Sequence, residues 1–182
     1  MVEARRSGAV PSVQGHLTAV LNGRSLRAWL LTGLAVVLIS LWTQRGMVSS
    51  GRAPELTGTL ADGHAFAGLE SVPKPALVYF WGSWCGVCRL MQGTLNSLEA
   101  SGASVVTVAL ASGDPRTVTA YQDAHDFRVR AVVDADGRLA QAYGVVGVPA
   151  LFFIDPEGRV ASVSRGYTTE WSIRLRLWLA GR

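Results

Sequence analysis

Beyond about residue 51, apolar positions fall in short blocks whose spacing alternates between strand-like runs and helical periodicity. Ala76–Phe80 (ALVYF) is a continuous apolar run of strand length, directly after Pro73 and Pro75, and reads as a buried strand. Val87–Leu98 carries Met91, Leu95 and Leu98 at helical spacing, and Ser104–Leu110 (SVVTVAL) is a second strand. Asp114 ahead of Pro115 is a cap followed by proline in the first turn, which predicts a helix reaching about Ala124. A short strand at Arg130–Val133, a turn at Asp136-Gly137 and a short helix at Arg138–Tyr143, closed by Gly144, come next. Ala150–Ile154 and Arg159–Ser164 are strands whose connection, Asp155-Pro156-Glu157-Gly158, is short enough for an antiparallel hairpin. Trp171, Leu175, Trp178 and Leu179 recur at i, i+4, i+7 and i+8, predicting an amphipathic C-terminal helix. Residues 51–75 are turn-rich, with a short hairpin expected around Leu56–Leu69. The βαβα order predicts an α/β domain over residues 54–182 with a largely parallel central sheet, and no internal repeat interrupts it.

One apolar block does not belong to that pattern. Ala28–Trp42 is 15 uncharged residues, 17 if Thr43 and Gln44 are included, where a bilayer span takes about 17 to 25 and a secretory core about 7 to 15. Trp29 and Trp42 sit at its ends as interfacial aromatics do, the basic segment before it is long for a signal peptide, and no clean small-residue cleavage site follows. Residues 28–44 are therefore expected to be a retained transmembrane anchor, preceded by a basic tail at 1–27 and followed by a linker at 45–53. Arg5, Arg6, Arg24 and Arg27 lie before the span. The positive-inside rule then places the N-terminus in the cytoplasm and the domain across the inner membrane, in the periplasm or its equivalent.

Charge adds a restriction. Residues 1–52 carry a net +5 and the remainder −1, so the high pI of about 9.6 belongs to the tail and does not argue for nucleic-acid binding.

The chemistry is concentrated in Trp84-Cys85-Gly86-Val87-Cys88, because Cys85 and Cys88 are the only cysteines of the chain. Two thiols three positions apart at the start of a helix can close into a small disulfide ring and open again. A structural disulfide is the plainer alternative for an exported domain, but so small a ring constrains few residues and adds comparatively little stability. A zinc site needs about four ligands and the cysteines supply two, while His16 lies in the tail and His64 and His125 stand alone. A dithiol that captures copper(I), or a site shared between two molecules, remains the competing binding function.

The run Phe80-Trp81-Gly82-Ser83-Trp84-Cys85-Gly86-Val87-Cys88-Arg89 resembles the active-site segment of the thioredoxin superfamily. Gly144–Asp155, with Val148-Pro149 inside it, resembles the segment that carries that family's cis-proline. With Val133–Gly137 and the apolar stretch upstream, residues 54–182 are most similar to the membrane-tethered thiol:disulfide oxidoreductases of the TlpA, ResA and ScsD type. The resemblance implies a thioredoxin-like fold with a central mixed sheet flanked by helices, behind one N-terminal transmembrane helix, and dithiol chemistry that needs no cofactor. It assigns Cys85 as the attacking sulfur, activated by the helix N-terminus, and Cys88 as the resolving sulfur one turn deeper. It also makes Pro149 a cis-proline that turns Val148 toward a client strand, and Trp84 part of an apolar rim, with Trp81 in the core. The implied partners are protein disulfide or dithiol clients and a membrane thiol reductase as electron donor. A reductive role is expected, in cytochrome c maturation or in keeping copper-handling thiols reduced. A peroxidase is also compatible with this fold, but the lone cysteine flanked by Thr and Pro that such a site uses is missing here.

Three features depart from the family pattern, the first being Gly86-Val87 between the cysteines in place of the Gly-Pro of thioredoxin, a change that bears on redox poise without fixing its direction. Tyr79 occupies the place of an acid-bearing strand position, which leaves Cys88 without an identified proton acceptor, and Gly93 stands where many relatives have a helix-kinking proline.

Overall fold

The computed structural model describes residues 29–35 and 49–182. Its sheet is organised around β3 (Ala76–Trp81), whose six residues are all buried, because both faces of the strand are covered by other layers. β4 (Ser104–Leu110) lies parallel to β3 on one side and β5 (Ala131–Asp134) parallel to β4 beyond it. On the other side, β6 (Ala150–Ile154) runs antiparallel to β3, and β7 (Val160–Arg165) antiparallel to β6, giving the order β5-β4-β3-β6-β7. The sheet is therefore mixed. The two hairpin-linked strands supply the antiparallel half, and the helical crossovers supply the parallel half.

Alternation along the strands divides the core in two. Leu77, Tyr79 and Trp81 face α1 (Gly86–Ala100), α2 (Pro115–Ala124) and α4 (Glu170–Ala180), and with Met91, Leu95, Leu98, Val118, Ile173 and Leu177 they form one cluster. Ala76, Val78 and Phe80 face α3 (Arg138–Ala142), Tyr143 and a small antiparallel ribbon, β1 (Gly58–Thr59) with β2 (Ala65–Phe66). The ring edges of Phe80, Phe152 and Tyr143 meet within that second cluster.

Helix starts follow the sequence signals. Asp114 accepts from Thr117 N at 2.8 Å ahead of Pro115, as expected for α2. α3 is capped from a distance: the buried carboxylate of Asp134 accepts from Leu139 N at 2.9 Å and Ala140 N at 2.8 Å. α1 passes through Gly93 without a break.

α4 differs from its predicted orientation. The stripe of Trp171, Leu175, Trp178 and Leu179 is exposed, and the same spacing two residues later, at Ile173, Leu177, Ala180 and Gly181, faces the domain. At the helix end the backbone also comes close to β3, where a Cβ on Gly181 would stand 3.2 Å from Pro75 Cγ. Ile173 and Leu177 fill the core cluster beneath the helix, and the tryptophans are left outside it.

Residues 46–182 form one compact unit. Of the anchor expected at 28–44, residues 29–35 are helical and exposed, while the rest of it and the tail at 1–27 lie outside the described residues. Among the described residues no helix is long and apolar enough to cross a membrane.

Candidate active site

β3 ends at Trp81, and the next four residues bend the chain from the sheet into α1. Two hydrogen bonds hold this bend. Cys85 N donates to Gly82 O at 3.0 Å, and Ser83 N donates to Ser112 Oγ at 2.9 Å. Ser112, in the loop after β4, is fixed in turn by donating to Leu110 O at 3.0 Å.

Cys85 is the N-cap of α1, with extended backbone, and its Sγ accepts from Cys88 N at 3.1 Å. A capping position normally taken by an oxygen is here taken by sulfur, so one of the unpaired N–H groups at the helix start points at Sγ. The two cysteines are disulfide-bonded, with Cα atoms 5.3 Å apart. Cys85 is 7% exposed and Cys88 fully enclosed, so a visiting group meets the first sulfur before the second.

Val148-Pro149, a cis peptide, lies opposite, and Cys85 Sγ stands 3.8 Å from Val148 O. Pro149 O accepts from Gly166 N at 2.8 Å, which ties this loop to the end of β7. The structure thus brings together Cys85, Cys88, Val148 and Pro149, drawn from two segments some sixty residues apart. Trp84 and Val87, on either side of Cys85 in the chain, and Val146, two residues before Val148, are exposed apolar side chains. Trp81, by contrast, is fully buried between Tyr121 and Phe127, and its Nε1 donates to Thr107 Oγ1 at 3.1 Å.

Tyr79 is buried beneath α1, and its hydroxyl donates to Cys88 O at 3.5 Å. Burial pushes its phenol well above the usual tyrosine range, with the neighbouring Tyr121 adding to the shift. It stays protonated where thiols exchange, so it supports Cys88 through its backbone and takes no proton from it. Among the described residues no group of three or more His, Cys, Asp or Glu side chains could hold a metal ion.

Sequence patterns did not single out Ser112 or Gly82 for this site. Ser112 reads only as part of a loop. Gly82 carries a local signal, as a glycine two residues ahead of a tryptophan, that means nothing until the indole is seen lying against it.

Comparison with known proteins agrees with this geometry. Residues 50–163 match the model of the AhpC/TSA family. The chain is 34% identical over 161 residues to a thioredoxin-like protein of Haemophilus influenzae, covering 87% of this chain and 93% of that one. It is 26% identical to the thiol-disulfide oxidoreductase ResA of Bacillus subtilis, over 79% of this chain and 88% of that one. Among solved structures it resembles MTB DsbF in its mixed oxidised and reduced forms, with a TM-score of 0.62 and 26% identity over 69% of this chain and 95% of that one. This chain belongs to the AhpC/TSA family, has the thioredoxin-like fold, and is a thiol:disulfide oxidoreductase.

Proposed function

We propose that the domain is held on the outer face of the cytoplasmic membrane by residues 28–44 and reduces disulfides in protein clients through Cys85 and Cys88. The observation that carries the exchange reaction is the seating of Cys85 as a helix N-cap, beside Val148-Pro149 and between the exposed Trp84 and Val87 in the chain. The N–H of Cys88 and the positive end of α1 favour the thiolate of reduced Cys85.

In the reduced enzyme, the Cys85 thiolate attacks one sulfur of a client disulfide. That bond breaks, the other client sulfur leaves as a thiolate, and a mixed disulfide forms on Cys85. Cys88, deprotonated, then attacks Cys85 Sγ, expelling the second client sulfur and closing the Cys85–Cys88 bond. Two electrons pass to the client, whose two sulfurs take up two protons. A membrane thiol reductase restores the dithiol by the same exchange in reverse. The exposed Trp84, Val87 and Val146 suit an apolar client segment, and Val148 and Pro149 offer it a backbone edge.

The reductive direction and the clients, apocytochrome or copper-handling thiols, are supported by similarity to the membrane-tethered oxidoreductases. The test is trapping with Cys88→Ala in the native compartment. Mixed disulfides between Cys85 and reducible clients are expected to accumulate. Recovery of oxidised donor proteins alone would reverse the direction of electron flow.

A further inference from the structure

α4 carries apolar residues on two faces, separated by Glu170 and Arg174 along one border and by Ser172 and Arg176 along the other. Ile173, Leu177 and Ala180 are buried against the sheet, whereas Trp171, Leu175, Trp178 and Leu179 are 73%, 38%, 52% and 54% exposed. Contiguous exposed apolar surface of this kind marks an interaction face.

What surrounds the stripe is basic and aromatic. Arg174, Arg176 and Arg182 stand against Glu170 alone. Arg174 pairs with that Glu170 at 2.7 Å, the Arg176 guanidinium turns to the domain and lies 5.7 Å over the buried Phe153 ring, and the Arg182 guanidinium lies 3.5 Å over the Trp178 ring. Tryptophan and leucine backed by arginine heads is the composition of helices that lie in the headgroup layer of anionic membranes. A self-association face would instead bury the arginines of two copies against each other.

Position supports the same occupant. The strand register puts Phe80, Ala150 and Arg165 at the Cys85 end of the sheet, and Ala76, Ile154 and Val160 at the other. At that other end, Val160 N donates to Gly51 O at 2.8 Å and Ala53 N to Gly158 O at 2.9 Å, so the chain enters the domain there. α4 also finishes there, with Gly181 against Pro75. From Gln44 to Gly51 the chain reaches at most about 25 Å.

We infer that the exposed face of α4, formed by Trp171, Leu175, Trp178 and Leu179 with Arg182, rests on an anionic phospholipid surface. This holds the domain on its flank with Cys85 left open at the far end of the sheet. The inference rests on the proposed membrane tether for bringing the domain to the bilayer, and on α4 alone for the contact itself.

The test uses the full chain labelled with 5-fluorotryptophan, in phosphatidylcholine nanodiscs with and without phosphatidylglycerol, and a spin-labelled lipid as the probe. The six tryptophans are assigned by substitution. In anionic discs, the Trp171 and Trp178 resonances are expected to broaden roughly threefold more than that of buried Trp81, and the effect is expected to weaken in neutral discs. Arg182→Gln should weaken the contact by about fivefold. Trp178→Ser with Leu179→Ser should abolish it while insulin reduction by Cys85 and Cys88 stays unchanged. Trp171 and Trp178 as sharp as Trp81 in anionic discs would overturn the inference, whatever Trp29 and Trp42 show, and those two separately report the tether. Broadening that needs no spin-labelled lipid and instead follows the number of protein copies per disc would also overturn it, in favour of a face for a second copy.

Discussion

The Trp84 indole lies across Gly82 so closely that a Cβ on Gly82 would fall 2.5 Å from Trp84 Cε2. The rim tryptophan therefore has its place only because residue 82 has no side chain. Since Trp84 is 61% exposed, its ring can swing into solvent when crowded. Gly82→Ala is expected to change stability by no more than about 1 kcal/mol, as for an exposed adjustment. It should lower kcat/KM for an insulin disulfide several-fold and leave the reaction with a small aromatic disulfide nearly unchanged. Parallel assays with the two substrates, and with Trp84→Ala as the reference, check this. Equal losses on both substrates would mean that the substitution disturbs the sulfur and not the rim.

Alkaline pH should unfold the domain through its buried phenols. Burial raises the ionisation of both Tyr79 and Tyr143 far above the ordinary value of 10.0. A folded-state value above the unfolded one means that the native state holds protons the unfolded chain would release. The stabilisation is complete below about pH 10 and declines as pH rises above it. The denaturant midpoint should therefore stay flat on this account up to about pH 10 and then fall. Tyr79→Phe should reduce the slope, at a cost of about 1 kcal/mol from the lost bond to Cys88 O. A fluorescence-detected urea series across that pH range measures both effects.

How much of this was legible beforehand varies by residue. The strands at Ala76 and Ala150, the Asp114 cap and the Cys85–Cys88 pair all announce themselves locally, and the structure places them as expected. The meeting of Cys85 with Val148 came from family resemblance, because no local pattern links segments that far apart. The phase of α4 could not be read, since a helix apolar on two faces has two stripes of identical spacing. The stripe that packs is the one whose Ile173, Leu177 and Ala180 fit the cluster formed by the sheet and α1, a tertiary fact. Ser112 was invisible for a related reason: its importance lies in receiving the N–H of Ser83, and a loop serine carries no sign of that.

Gly93 tests whether flexibility in α1 serves the site. It is exposed inside an unbroken helix, and a Cβ there would meet nothing within 4 Å. Gly93→Ala should stabilise the domain by about 0.5 to 1 kcal/mol, since alanine loses less backbone entropy on folding. Chemical denaturation of the oxidised protein measures the gain. If the rate of client reduction is unchanged as well, bending at this position plays no part in catalysis.

Asp134 connects the stability of the β5 end to the loop that faces the cysteines. Its buried carboxylate receives Leu139 N and Ala140 N, the second and third N–H groups of α3, while Arg138 N, the first, donates to Asp136 Oδ1 at 3.2 Å. From α3 the chain passes through Val145, whose N–H donates to Ala140 O at 2.8 Å, directly toward Val148 and Pro149. Asp134→Ala leaves two buried donors unpaired, at a cost of about 2 to 4 kcal/mol, and calorimetry should show the melting temperature lowered by about 10 °C. Asp134→Asn retains one acceptor oxygen and should lose roughly half as much. If α3 does hold the Val148 loop in place, both variants should also slow reduction of a protein client at temperatures well below melting, alanine more than asparagine. Full activity in a destabilised Asp134→Ala would mean that the loop is held from the β7 side, by the bond from Gly166 N to Pro149 O.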